Sequence, residues 1–114
     1  MNKDDEITVL LIEPEKVPRE ITVPNSLESL QNAVGGYIEV VYPFDDNACI
    51  ICNEEGKLNG MQLNRALRTE DGELYDILAG PVIIAGLTED DFGSLTAEQV
   101  SHIPRCIIRR RHSS

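Results

Sequence analysis

Short apolar and alternating runs, divided by prolines and glycines, dominate the first half of the chain. Residues 6–12 form an apolar run that ends at a Glu-Pro pair, and residues 19–23 and 37–42 alternate between polar and apolar side chains. Both patterns are typical of strands. Residues 48–52 are apolar throughout, which predicts a buried central strand. We therefore expect an initial hairpin and a core of aliphatic side chains.

One segment has the periodicity of a helix. In residues 27–34, leucine and valine recur at helical spacing, Asn25 or Ser26 can cap the first turn, and Gly35-Gly36 can end the helix. A helix of this length is marginal alone, so its apolar side must pack on the sheet.

The second half of the chain combines strand and helix patterns. Residues 62–68 favour one or two helical turns, and residues 81–85 favour another strand. The segments 88–91 and 96–99 each begin with threonine and continue with acidic or amide side chains, which is typical of a helix start.

These elements predict an α+β fold with a single domain over residues 1–114. The core, about 7–104, would contain a mixed or antiparallel sheet with one principal helix on a face and a helical C-terminal segment. The remainder, 105–114, is a basic tail in which Ile107-Ile108 is a candidate strand. Pairing of this tail with a second copy would give a homodimer.

Charge narrows the expected partners. The chain has 10 basic and 20 acidic side chains, a formal net charge of −10. Such a protein repels nucleic-acid phosphate and the anionic inner membrane surface, and the aromatic content of 4% leaves few rings for stacking on bases. We therefore expect neither direct nucleic-acid binding nor membrane association. The charge favours solubility, and it also suits a protein that imitates DNA.

The cysteines and histidines supply one candidate metal site. Cys49, Cys52, His102 and Cys106 are ligand types that zinc prefers. However, Cys49 and Cys52 are three apart in a predicted strand, which places them on opposite faces. We expect buried, reduced thiols, no bound metal and, without a secretion signal, a cytoplasmic protein.

Polar residues beside glycine turns form a better candidate site. Amides offer paired donors and acceptors, and a guanidinium binds phosphate or carboxylate at two points. The competing interpretation is structural, with Asn64 capping a short helix and Arg65 paired with an acid. The candidate ligand-binding residues are Tyr37, Asn53, Glu55, Asn64, Arg65 and Tyr75.

Several motifs resemble those of a known family. Residues 24–41, 52–60, 63–67 and 75–80 are similar to small uncharacterised bacterial domains, catalogued as a domain of unknown function, from Gram-positive gut bacteria, their conjugative elements and their phages. Gln62 stands where such domains usually have proline. The resemblance implies no activity; it implies an accessory or counter-defence role in a mobile element or phage.

Three hypotheses of function remain. The first is a non-enzymatic accessory protein that binds a small anionic, nucleotide-like ligand in a cleft that contains arginine. The second is an acidic inhibitor or DNA mimic that binds a host nucleic-acid-binding protein. The third is a zinc-binding protein or enzyme. The sequence has no Walker loop, nucleophile elbow or dinucleotide-binding motif, so we predict no catalytic residue, no cofactor and no enzyme.

Overall fold

The computed structural model describes residues 6–42, 47–56, 58–68, 74–89, 91–103 and 107–109, with the backbone alone for 65–68, 74–76 and 107–109. This part of the chain forms one α+β domain, as predicted. Its elements, in chain order, are β1 (Glu6–Ile12), β2 (Arg19–Pro24), α1 (Leu27–Val34), β3 (Ile38–Val41), β4 (Ala48–Asn53), β5 (Leu63–Arg68), β6 (Leu74–Ala79), β7 (Val82–Leu87), β8 (Phe92–Gly93), α2 (Ala97–His102) and β9 (Ile107–Arg109).

The described strands form two sheets. The larger sheet has six antiparallel strands in the order β2-β1-β7-β4-β3, with β8 paired to β7. The predicted hairpin of β1 and β2 lies at one side of it, and β3 forms the opposite edge. The smaller sheet has the order β6-β5-β9 and is also antiparallel.

The larger sheet is covered on both faces. Every residue of β4 is buried, which confirms the predicted central strand. Side chains on one face pack against Leu30 and Val34 of α1, and those on the other face pack against Leu78 of β6 and Ile103 at the end of α2. The protein therefore has two hydrophobic cores, one on each face of the larger sheet.

Local chemistry accounts for both ends of α1. The Ser26 hydroxyl accepts a hydrogen bond from the backbone N–H of Ser29 at 3.2 Å and caps the first turn. Gly35 ends the helix with a φ of 84°, a left-handed conformation that glycine adopts without a steric penalty. Its N–H donates to the carbonyl of Gln31 at 2.8 Å. Both predicted caps are confirmed.

Two sequence-based predictions in the second half are wrong. Residues 62–68 were expected to be helical, but Leu63–Arg68 is strand β5, because pairing with β6 on one side and β9 on the other overrides the local propensity. The segment 88–91 was expected to begin a helix, but the Thr88 hydroxyl bonds to the Asp91 backbone at 3.0 and 3.1 Å and strand β8 begins directly after it, at Phe92.

The predicted helix start at residues 96–99 is confirmed. Thr96 accepts from the N–H of Gln99 at 3.1 Å, and the Gln99 side chain accepts from the N–H of Thr96 at 2.9 Å, which is a complete capping box. The Gln99 amide also donates to the Asn47 carbonyl at 3.2 Å and so fixes α2 beside the start of β4.

The C-terminal strand joins the fold of its own chain. Within the segment 105–114, which the sequence predicts as a basic tail, β9 pairs with β5 through Ile107, Ile108 and Arg109. The expected terminal strand is therefore present. Association with a second copy through this tail stays a prediction, and residues 110–114 lie outside the described part of the chain.

A buried amide connects the two sheets. Asn64, at the start of β5, is 1% exposed, and its Nδ2 donates to the carbonyls of Ile12 at 2.8 Å and Gly80 at 2.7 Å. Ile12 ends β1 in the larger sheet, and Gly80 is the turn from β6 into β7. One side chain therefore satisfies two buried carbonyls from different layers.

We predict that Asn64→Ala lowers the free energy of unfolding by about 2–3 kcal/mol, because it removes two hydrogen bonds to buried carbonyls. Urea denaturation measures the change. Asn59→Ala is the matched control, since Asn59 is exposed, and it should change stability by less than about 0.5 kcal/mol. Equal, small effects of both substitutions would contradict the proposed bridge.

Candidate functional site

A groove of about 280 Å³ opens where the two sheets meet. Its walls come from the end of β4 and the turn after it, from β3 and from β6. A Cβ at Gly56 would lie 2.9 Å from the carbonyl oxygen of Ala79, so a larger residue there would push the turn away from β6. The lining residues are Glu39, Cys52, Asn53, Glu54, Glu55, Gly56, Leu58, Ile77, Leu78 and Ala79.

The described residues that line the groove are acidic or uncharged. Glu39, Glu54 and Glu55 are exposed at its border, and none of the described residues that line it is basic. The described lysine and arginine side chains, Lys16 and Arg19, approach Glu13 at 3.8 and 3.6 Å, in the loop between β1 and β2. Like charges along a concave surface reinforce one another, so this groove favours cationic groups.

The buried side chain of Asn53 fixes the backbone on two sides of the groove. Its Nδ2 donates to the carbonyl of Val34 at 3.1 Å, and its Oδ1 accepts from the N–H of Glu55 at 2.8 Å. The buried amide therefore holds the end of α1 against the turn that carries Glu54 and Glu55. A Cβ at Gly36 would come within 2.8 Å of Nδ2, which explains the second glycine after the helix.

Exposed apolar side chains border the acidic residues. Leu58 is 87% exposed at the groove, and Tyr37 is 72% exposed at the start of β3. Tyr37 also lines a shallower depression of about 400 Å³ at the end of α1, and its carbonyl accepts from the N–H of Glu54 at 2.8 Å. An apolar patch beside charged residues is typical of protein-binding surfaces.

The structure brings together part of the predicted ligand site. Tyr37, Asn53 and Glu55 converge at the turn after β4, whereas Asn64 is buried between the sheets. The amide groups of Asn53 and Asn64 donate to main-chain carbonyls. Asn64 therefore has a structural role, but the predicted helix cap is wrong because Asn64 lies in strand β5.

Arg65 and Tyr75 lie in the smaller sheet, where the backbone alone is described. The register of β5 and β9 pairs Arg65 directly with Arg109. The cleft containing arginine that the sequence predicts therefore stays a prediction.

The candidate zinc ligands do not converge in the described part of the chain. Cys49 belongs to the core beneath α1 and Cys52 to the core on the opposite face, which confirms the predicted alternation. Both thiols are buried, and the described residues contain no cluster of metal-binding side chains. His102 ends α2 and is exposed, and Cys106 lies outside the described residues.

Burial raises the pKa of the Cys49 thiol from 9.0 to about 11, an effect that a hydrogen bond with the Ala85 backbone partly offsets. At pH 8 the reactive thiolate is therefore on the order of one molecule in a thousand. We predict that iodoacetamide leaves Cys49 unmodified in the native protein at pH 8 and modifies it rapidly in guanidinium. Peptide mapping by mass spectrometry identifies the site. Rapid native modification would show that the thiol is accessible.

The sequence missed Glu39 and Leu58 as site residues. Glu39 occupies an ordinary polar position in an alternating strand, and only the register that pairs it with Cys52 places it at the groove. Leu58 follows a predicted turn and has no local pattern that marks it as a site residue. Their shared location depends on β6 folding over the end of β4, which no local pattern indicates.

Comparisons with known proteins identify a family and no activity. Residues 7–107 match the family described as "Domain of unknown function (DUF3846)". No curated protein and no solved structure matches the chain at a significant level. Among the described residues, no helix is long and apolar enough to cross a membrane.

Proposed function

Because the chain belongs to this family of unknown function, we propose from its own surface that it is a non-enzymatic binding protein whose acidic groove receives a basic segment of a partner protein. This is the acidic-inhibitor hypothesis, with the groove as its binding site. The observation that supports it is the position of Glu39, Glu54 and Glu55 around one concave surface.

Charge and shape both support a protein partner. The three carboxylates have no ion-pair partner among the described side chains, so a cationic partner would not have to displace one of those groups. The floor of the groove is apolar where Ile77, Leu78 and Ala79 reach it, which suits the aliphatic stems of lysine and arginine. A host nucleic-acid-binding protein presents such basic segments, and the accessory or counter-defence role in a mobile element or phage is part of this proposal.

We predict that the triple substitution Glu39→Gln, Glu54→Gln and Glu55→Gln weakens binding of a fluorescent oligolysine peptide about tenfold at low salt. Each exposed ion pair contributes about 0.5 kcal/mol, and losing three corresponds to about one decade in Kd. Fluorescence anisotropy measures Kd, and added salt should reduce the difference between the two proteins.

The matched control removes the same net charge elsewhere. Glu20, Glu89 and Glu98 are exposed and do not line the groove, so changing all three to glutamine should alter Kd by less than about twofold. If both triple variants lose affinity equally, the peptide senses net charge alone and the groove is not a binding site.

A second candidate function is binding of a small anionic, nucleotide-like ligand. The register that puts Arg65 and Arg109 at paired positions of β5 and β9 favours it, because arginine is the residue type that binds phosphate at two points. This candidate places the ligand on the smaller sheet, and Tyr75 lies on the same sheet in β6. It keeps Arg65 and Tyr75 from the predicted site and assigns structural roles to Asn53 and Asn64.

Native mass spectrometry tests the anionic ligand. If the second candidate is correct, gently purified protein carries an additional mass of nucleotide size, and Arg65→Ala loses it while Arg19→Ala retains it. Arg19 is the control because its side chain approaches Glu13, in the loop between β1 and β2. Protein without added mass, or equal retention by both variants, would exclude Arg65 from a tight anion site.

A further inference from the structure

Strand β3 is an edge strand of the larger sheet and lies beside the acidic groove. β3 hydrogen-bonds to β4 on one side, and no described residue pairs with its other side. Building on the proposed function, we propose that the basic segment of the partner adds to this edge as an antiparallel or parallel strand, with alternate side chains over the groove. This would be recognition by strand addition.

The hydrogen bonds to β4 identify which backbone groups are available. The Tyr37 carbonyl accepts from Glu54, so Tyr37 directs its backbone polar groups towards β4. Those of successive residues alternate in direction along a strand of an antiparallel pair. Ile38 and Val40 therefore direct their N–H and C=O groups outward, while Glu39 directs its own towards β4.

The two faces of β3 specify the chemistry of the added strand. Glu39 lies opposite Cys52 and borders the groove, whereas Ile38 and Val40 pack on the side of α1. Because side chains alternate between faces, the added strand would place basic residues beside Glu39 and apolar residues beside Ile38 and Val40. We therefore expect an extended segment in which basic and β-branched residues alternate.

The two outer strands of the larger sheet differ in their protection. β2 starts with the charged residues Arg19 and Glu20 and ends in Pro24, devices that discourage strand pairing. The described strand β3 contains one charged residue and no proline, and the exposed tyrosines Tyr37 and Tyr42 flank it. An unprotected edge with exposed aromatic residues is suited to a partner strand.

Charge favours a basic segment over a second copy of this chain. Each copy carries a net charge of −10, and pairing of two β3 strands would bring two Glu39 side chains and two acidic grooves together. A basic segment neutralises these charges. Association of two copies through β3 is instead one outcome of the test.

The experiment uses Val40→Pro, which removes an outward N–H and leaves the hydrogen bonds between β3 and β4 intact. The probe is a capped peptide of alternating lysine and valine, about eight residues long. We expect binding to weaken about tenfold or more in Val40→Pro, and to stay within about threefold in Val40→Ala, which keeps the N–H. Circular dichroism and thermal unfolding verify that each variant is folded.

Amide hydrogen exchange gives a second measurement on the wild-type protein. The N–H groups of Ile38 and Val40 should exchange quickly in the free protein and become protected by the alternating peptide. The N–H of Glu39 should be protected in both states, which provides a control within the same strand. Absence of new protection at Ile38 and Val40 would overturn strand addition even if Val40→Pro unfolds.

The outcomes separate strand addition from the proposed function. If a peptide with its lysines and valines in two blocks binds as well as the alternating one, or if Val40→Pro binds normally, strand addition is wrong and the acidic groove alone explains binding. If no basic peptide binds the wild-type protein, both proposals fail. If the free protein dimerises and Val40→Pro is monomeric, the edge pairs with a second copy, which contradicts the basic segment.

Discussion

The central strands β4 and β7 are apolar on both faces, and this constraint determines the rest of the fold. Burying a single isoleucine side chain contributes about 2–3 kcal/mol, and β4 and β7 each bury two. Such strands need cover on both sides. Helix α1 provides it on one face, while β6 and the end of α2 provide it on the other.

The candidate site results from the way β6 packs on one face of the larger sheet. For Leu78 to reach the core, β6 must fold over the end of β4, and the groove is the space left between the two sheets. Two buried amides hold this arrangement: Asn53 joins α1 to the turn after β4, and Asn64 joins β5 to the turn before β7. The exposed carboxylates of Glu39, Glu54 and Glu55 at the border of this groove are the groups to which we assign the basic partner.

The sequence predicted the elements that depend on local chemistry. The hairpin of β1 and β2, the caps of α1, the buried strand β4 and the opposite faces of Cys49 and Cys52 all follow from alternation, capping residues and glycine. The smaller sheet could not be predicted in this way. Strand β5 has no clear alternation of polar and apolar residues, and it is a strand because it pairs with β6 and β9. Of the candidate site, the sequence named Asn53 and Glu55, which are in contact in the structure, whereas the contribution of Glu39 required knowledge of the strand register.

The most direct measurement of the central claim is a two-dimensional ¹H–¹⁵N NMR titration of the labelled protein with a basic peptide. The account predicts that the largest shift changes occur at Glu39, Glu54, Glu55 and Leu58 and along the outer edge of β3, with little change in α2. Shift changes that are spread over every acidic surface, or concentrated away from the groove, would contradict the account and leave the excess of acidic residues as a determinant of solubility.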